Sequence, residues 1–134
     1  MDRLFGNWKL KKNINFELFL EHCGYGWMQR KVAVASSIDL EILSGGPDRI
    51  RRKIKSAFFN TNEEYVIDDK FHMNKDGIKK KNSFTNNILT TFAEGTQMSW
   101  IERAYISGTE LHVERTWKEK SGIYRSCKQI FIKK

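Results

Sequence analysis

Turn-forming residues divide this chain into short segments at nearly regular intervals. Clusters of Gly, Asn, Asp, Ser and Pro recur at residues 44–48 (SGGPD), 60–62 (NTN), 75–77 (KDG), 86–87 (NN), 94–95 (EG), 107–108 (SG) and 118–122 (KEKSG). Between them lie runs rich in Ile, Val, Thr, Tyr and Phe, at the spacing of about 8–12 residues that is typical of hairpin-connected strands. The pattern predicts an antiparallel sheet that closes into a barrel or stacks as a sandwich.

One segment near the N-terminus departs from this strand pattern. Phe16, Phe19, Leu20 and Cys23 have helical spacing, and a second apolar run at residues 27–34 follows two glycines. Helices this short are marginal in water unless they pack against another element. The sequence therefore predicts a strand, then a helix-turn-helix, and then strands to the end.

Length and composition predict one domain, residues 1–134. The hydrophobic fraction of 40% suits a globular chain, and no apolar run approaches the roughly 20 residues that cross a bilayer. The N-terminus, MDRLFGNWK, lacks the apolar segment of a secretory signal. Cys23 and Cys127 are then expected to be reduced thiols, and the protein is expected in the cytoplasm.

The net charge of +8 is spread over the chain. The densest basic clusters are residues 49–55 (RIRRKIK), where isoleucines alternate with the charges, and 79–81 (KKK), which follow a turn signal. Solvated strand faces and basic turns account for most of this charge. An anionic partner, either a membrane surface or RNA, remains an alternative.

The alternation within the strands places polar residues on faces that otherwise look buried. Ile50, Arg52 and Ile54 share one face, and the same mixture occurs in two other sets, Glu63, Tyr65 and Ile67, and Cys127, Gln129 and Phe131. Unpaired polar groups are costly in a dry core. The pattern favours a barrel with a hydrated interior that holds one small ligand, unless the pairing register differs by one residue.

The sequence contains little that indicates an enzyme. His22, His72 and His112 lie in different settings without the spacing of metal ligands, and the two cysteines do not form a CxxC pair. No GxSxG, phosphate-binding loop or dinucleotide fingerprint occurs. We expect no catalytic residue, no metal and no cofactor.

The N-terminal segment resembles a known family. GNWKL at residues 6–10 and NFELFL at 15–20 are similar to the N-terminal signature of the intracellular lipid-binding proteins, which include fatty-acid-binding and cellular retinoid-binding proteins. The resemblance continues through GYGWMQRKVA (24–33), IRRKIKSAFFNTNEEYVIDDKF (50–71), DGIKKKNSF (76–84) and CKQIFIKK (127–134), and departs from the family at Cys23. It covers essentially the whole chain.

This resemblance implies an all-β fold, a ten-stranded antiparallel up-and-down β-barrel (a clam) capped by a helix-turn-helix lid. Phe16 and Leu20 would face a water-containing cavity that holds one long-chain lipid, and Phe19 would pin the lid to the barrel rim. Phe58 would lie at the portal by which ligand enters. Trp8 would close the opposite end of the barrel.

The expected head-group site points to two ligand classes. Members of the family that bind carboxylates use an Arg on a late strand and an Arg-x-Tyr motif near the C-terminus. Here Arg103 matches the first position, although a one-residue shift or an ion pair with Glu102 would remove it from the cavity. Gln129 and Phe131 occupy the second motif, and Arg52 is a candidate second cation. CKQIF and ELHVE resemble the retinol-binding branch instead.

The resulting functional prediction is a non-catalytic, monomeric carrier of one long-chain fatty acid. A retinol or retinoid carrier is the alternative, an RNA-binding barrel is less favoured, and no nucleic-acid partner is expected. Four basic residues near the lid predict transient contact with anionic membranes, namely Lys11, Lys12, Arg30 and Lys31. Residues 114–126, longer than the usual last hairpin of the family, are expected to form a long solvated turn; the alternative is a surface feature that contacts a membrane or a partner.

Overall fold

The computed structural model describes residues 1–57, 60–74, 76–96 and 98–134. Within them the chain forms a short 3-10 turn, Asp2–Leu4, two α-helices and ten β-strands. The helices are α1 (Phe16–His22) and α2 (Trp27–Ala35). The strands are β1 (Gly6–Ile14), β2 (Ile38–Gly46), β3 (Arg49–Ser56), β4 (Asn60–Val66), β5 (Phe71–Met73), β6 (Lys79–Thr85), β7 (Ile88–Glu94), β8 (Ser99–Ser107), β9 (Glu110–Lys118) and β10 (Tyr124–Lys133).

All ten strands belong to one antiparallel sheet that curls into a nearly closed barrel. The strand order is β4-β3-β2-β1-β10-β9-β8-β7-β6-β5, so β1 joins the first and last parts of the chain. The sheet ends at β4 and β5, and side chains bridge from β4 to β6 there. Lys80 Nζ lies 3.0 Å from Glu63 Oε2, and Asn82 Nδ2 donates to the Val66 carbonyl at 3.4 Å. The predicted up-and-down barrel with a helix-turn-helix is confirmed.

Two hairpins show how local sequence sets the strand connections. Asn86 and Asn87 join β6 to β7 with φ angles of 56° and 62°. A two-residue turn with both φ angles positive matches the twist of the flanking strands, and Asn tolerates this conformation better than most residues. Pro47 and Asp48 likewise connect β2 to β3, as the turn signal predicted.

The last hairpin corrects one expectation. Residues 114–118 continue β9 and residues 124–126 begin β10, and the two strands pair as far as Lys118 with Tyr124. Only residues 119–123 form the turn, which is closed by the Glu119 N–H donating to the Ile123 carbonyl at 2.8 Å. The prediction of a long solvated turn was wrong, because the additional residues extend the strands.

The buried apolar side chains form two clusters. One contains Trp8, whose indole Nε1 donates to the Leu4 carbonyl at 3.0 Å, and includes Leu4 and Leu111. The other joins α1 to the strands through Phe19 and Trp117. Members of both clusters line the cavity described next.

Candidate functional site

A cavity of about 1390 Å³ lies between the inward faces of the strands and the helix α1. This volume exceeds the roughly 300–1,000 Å³ of common small-molecule sites. Its apolar lining includes Phe16, Leu20, Ile38, Leu40, Ile54, Val113 and Phe131. Its charged lining on the strands is Arg52, Glu63, Lys80, Glu102 and Arg115. Three cations and two carboxylates leave these strand residues with a net charge of +1.

Glu102 is bound to two arginines inside the cavity. Its Oε2 accepts a hydrogen bond from Arg52 Nη1 at 2.8 Å, and its Oε1 lies 3.0 Å from Arg115 Nε. Arg52 is on β3 and Glu102 on β8, so their ion pair crosses the barrel interior between strands that are not neighbours in the sheet. Burial by itself would raise the pKa of the Glu102 carboxyl, but the two guanidinium groups outweigh it and lower the pKa to about 2.

Gln129 extends this cluster toward β1. Arg115 Nη1 donates to Gln129 Oε1 at 2.8 Å, and Gln129 Nε2 donates to Asn13 Oδ1 at 3.0 Å. The Arg115 guanidinium also lies over the rings of Phe16 and Phe19, 5.8 and 5.1 Å from their centroids. The cluster therefore reaches the underside of the lid, where a cation is stabilised by aromatic faces.

A second set of polar side chains lies near the open edge of the sheet. Arg52 and Lys80 lie over the Tyr65 ring, 4.9 and 5.4 Å from its centroid. Burial raises the pKa of the Tyr65 hydroxyl well above its usual value, so this group stays protonated. Glu63 binds Lys80, and the pKa of Glu63 is lowered by Arg52 and Lys80 despite a burial effect in the other direction.

Five of the seven predicted site residues line the cavity, namely Arg52, Gln129, Phe131, Phe16 and Leu20. The inward faces expected for β3 and β10 are therefore those that the structure shows. The predicted portal residue Phe58 lies outside the described residues.

Arg103 is not in the cavity, and its expected placement was wrong. Its neighbours Glu102 and Ala104 are buried and point inward, so Arg103 lies on the outward face of β8. The register places Arg103 opposite Glu114 and Glu102 opposite Arg115. The alternative of a surface ion pair between Glu102 and Arg103 is also wrong, because Glu102 is buried and binds the two cavity arginines.

Arg115 and Lys80 are cavity cations that were not among the residues predicted from the sequence. The signal was present in β9, where Leu111, Val113, Arg115 and Trp117 alternate with polar residues and share the buried face. Three apolar neighbours at a period of two mark that face as inward. Arg115 therefore points into the barrel because its strand alternates, although it lies outside the expected motif.

Helix α1 is fixed over the cavity by aromatic contacts. The Phe19 ring meets Trp100 edge-on at 5.4 Å and Trp117 at 5.5 Å, and the His22 ring stacks on Trp117 at 5.6 Å. Phe19 also lines the cavity. Phe19 thus pins the lid, as expected, and forms part of the ligand-facing wall.

Comparison with known proteins points to one family, although no family model matches the chain. Rat retinol-binding protein 1 is 28% identical over 96% of this chain and 94% of its own length. A fatty acid-binding protein of the mite Tyrophagus putrescentiae is 28% identical over 78% of this chain and 82% of its own length. The crystal structure of apo Caenorhabditis elegans lipid binding protein 8 superposes with a TM-score of 0.88 at 23% identity, covering 100% of this chain and 97% of that one.

The relatives and the fold agree with the signature at residues 6–20. The resemblance to the intracellular lipid-binding proteins is therefore confirmed. Among the residues that the structure describes, no group of three or more His, Cys, Asp or Glu is arranged to hold a metal ion. Within the same ranges, neither helix has the length and apolar character that crossing a lipid bilayer requires.

The two cysteines of the chain are free and lie close to the lid. Cys127 is buried on β10, and Cys23 follows α1 and packs against the same cluster. Burial raises the pKa of the Cys23 thiol to about 11 and also raises the pKa of Cys127. Both thiols therefore stay protonated at neutral pH and are poor nucleophiles.

Proposed function

We propose that this protein is a non-catalytic carrier that holds one long-chain fatty acid, or a similar hydrophobic ligand, inside the barrel. The observation that carries the proposal is the cavity of about 1390 Å³, whose lining combines apolar side chains with buried polar and charged groups. An acyl chain that leaves water for such a cavity gains about 0.8 kcal/mol per CH₂ before ordering costs. Tight binding therefore does not depend on a strong polar anchor.

The residues that we propose to contact ligand fall into two groups. Phe16, Leu20 and Phe131 would contact the hydrocarbon chain. Arg52 and Gln129, together with the newly identified Arg115, would surround the head group. The placement of Phe58 at the portal by which ligand enters stays a prediction.

A retinol or retinoid carrier is the second candidate, because the cluster includes a neutral amide as well as cations. Gln129 already accepts from Arg115 and donates to Asn13. A ligand hydroxyl could join this network as both donor and acceptor. One of the curated relatives is named for retinol and another for fatty acid.

Mass spectrometry of lipid that co-purifies with the protein tests the carrier proposal directly. The delipidated protein should then bind oleate, palmitate or retinol in calorimetric titrations, with a stoichiometry near one. The absence of binding heat with all three ligands, at two temperatures, would contradict the proposal.

We further propose that the carrier meets membranes through α2. Trp27, Met28 and Val32 are 64, 73 and 51% exposed, which is unusual for such large apolar side chains. Arg30 and Lys31, in contrast, already form ion pairs with Glu17 at 3.7 and 3.2 Å. The apolar face of α2 therefore supports membrane contact more directly than the basic residues of the same helix do.

Vesicles provide the test of this contact. Trp27 fluorescence should be quenched by brominated lipid in anionic vesicles, and the double substitution Met28→Ser/Val32→Ser should weaken vesicle binding. Transfer of a fluorescent fatty acid should accelerate with vesicle concentration in the native protein. A transfer rate that does not depend on vesicle concentration would indicate diffusion through water instead.

The remaining proposals concern the protein as a whole. We propose that residues 1–134 act as one domain and as a cytoplasmic monomer, which light scattering and cell fractionation can check. We propose no nucleic-acid partner, since among the described residues the exposed aromatics Trp27, Phe71 and Tyr124 belong to three different elements rather than one stacking surface. Filter binding with single-stranded RNA at physiological salt should show no retention.

A further inference from the structure

Two arginines that line the cavity are already bound to a carboxylate of the protein itself. Arg52 and Arg115 each contact a different oxygen of Glu102, at 2.8 and 3.0 Å. The side chains of Arg52, Arg115 and Glu102 are only 12, 10 and 6% exposed, respectively, so the contacts are shielded from water. The two arginines thus bind Glu102 in the way that they would bind the anionic head group of a ligand.

Glu102 therefore competes with a ligand carboxylate for the same donors. An ionised head group brought to Arg52 and Arg115 would lie close to the negative charge of Glu102, and like charges repel strongly where water is excluded. The donors of Arg115 are further committed, because its Nη1 binds Gln129 at 2.8 Å. An uncharged hydroxyl meets no such repulsion and could donate a hydrogen bond to Glu102.

We propose that Glu102 sets the head-group preference of this cavity, by acting as an internal carboxylate that removes the advantage of an anionic ligand. The native protein then binds a long-chain amphiphile with an uncharged hydroxyl head group at least as tightly as the carboxylate of the same chain. This inference rests on the proposed carrier function and specifies which class of lipid the carrier takes.

Replacing Glu102 with Gln should reverse the preference. Gln keeps the approximate shape of the side chain but leaves two buried guanidinium groups without their anion. A buried cation without a partner is unfavourable, and a ligand carboxylate would then supply the missing charge. The variant should become selective for fatty acids.

The experiment compares two ligands that differ only in the head group, oleate and oleyl alcohol. Both displace a fluorescent probe from delipidated native protein and from Glu102→Gln at pH 8, where a fatty carboxylate is ionised. Glu64→Gln is the matched control, because it removes the same charge from an outward-facing, exposed ion pair with Arg49. We expect Glu102→Gln to tighten oleate at least tenfold, about 1.4 kcal/mol, while oleyl alcohol changes less than about threefold.

The outcomes separate this inference from the carrier function. If neither ligand binds the native protein, the carrier function fails and this inference fails with it. If both ligands bind but Glu102→Gln changes their affinities equally, the carrier stands and the role of Glu102 is overturned. An equal gain for oleate in Glu64→Gln would likewise overturn it, since overall charge would then explain the effect.

A second variant covers the case in which Glu102→Gln does not fold. Arg52→Gln/Glu102→Gln removes one cation together with the anion and keeps the net charge of the cavity lining unchanged. Arg115 would still lack its internal carboxylate, so oleate should gain over oleyl alcohol in this variant as well. An unchanged ratio of the two affinities would overturn the proposal.

Discussion

Acid should destabilise this protein mainly through Glu102, the most strongly paired carboxylate inside the barrel. The pKa of its carboxyl falls from 4.5 to about 2 on folding, because Arg52 and Arg115 outweigh the burial effect. The lowered pKa means that Glu102 stabilises the fold fully above about pH 5, and that this contribution is lost as the pH falls toward 2. At about 1.4 kcal/mol for each pKa unit, the total is on the order of 3 kcal/mol.

Urea unfolding, followed by tryptophan fluorescence at pH 7, 5, 4 and 3, measures this contribution. Other carboxylates, such as Glu63 and Glu114, also have lowered pKa values. Subtracting the unfolding free energy of Glu102→Gln from that of the native protein removes their effect, since both proteins contain them. The difference should shrink by about 2 kcal/mol between pH 7 and pH 3, because the pH then lies about 1.5 units below the unfolded pKa.

A difference that stays constant between pH 7 and pH 3 would refute this reasoning. It would mean that the ionisation of Glu102 is not linked to folding, and that the two arginines find other partners. Measurements at low and moderate salt should agree closely, because a buried ion pair is screened much less than a surface pair.

Three further predictions concern the cavity wall, the lid and the thiols. Arg115→Gln should lower the unfolding free energy by about 3–5 kcal/mol, because it breaks a buried ion pair, whereas Arg103→Gln on the outward face should lower it by less than about 0.5 kcal/mol. Similar losses for the two variants in urea unfolding would contradict the placement of Arg115 inside the barrel and Arg103 outside it. Phe19→Ala should cost about 3–5 kcal/mol and speed ligand release in stopped-flow fluorescence, whereas an unchanged release rate would show that the lid does not limit exit. Cys23 and Cys127 should react with a thiol reagent at pH 7.5 at least tenfold faster in urea than in the native state, because burial raises both pKa values.

Local sequence was sufficient to predict the strands, the lid helices and several cavity residues. The alternation of Ile50, Arg52 and Ile54 on β3 shows which side faces inward, because successive residues of a strand point to opposite sides of the sheet. The helical spacing of Phe16 and Leu20 predicted α1, and the family resemblance implied that these two residues face the cavity. The strand faces and the helix needed only a period of two or of 3.6 residues, and no knowledge of distant parts of the chain.

The choice of cation on the late strands could not be made in the same way. Matching the family motif by residue count pointed to Arg103, and a shift of one residue moves a strand position to the other face of the sheet. Glu102 rather than Arg103 faces inward, and the actual cation, Arg115, is opposite Glu102 on β9. The alternation within each strand therefore predicts which residues face the cavity more reliably than a motif position counted across a hairpin.

The sequence by itself determined the type and order of the elements, since turn residues and hydrophobic periodicity act over a few residues. Only the tertiary structure decided which polar groups meet inside the barrel. Glu102 binds Arg52, 50 residues earlier in the chain, and Gln129 binds Asn13, 116 residues earlier. Such contacts form only when the sheet closes and brings distant strands across one cavity. The physical reason is that buried charges must find partners wherever the closed barrel places them.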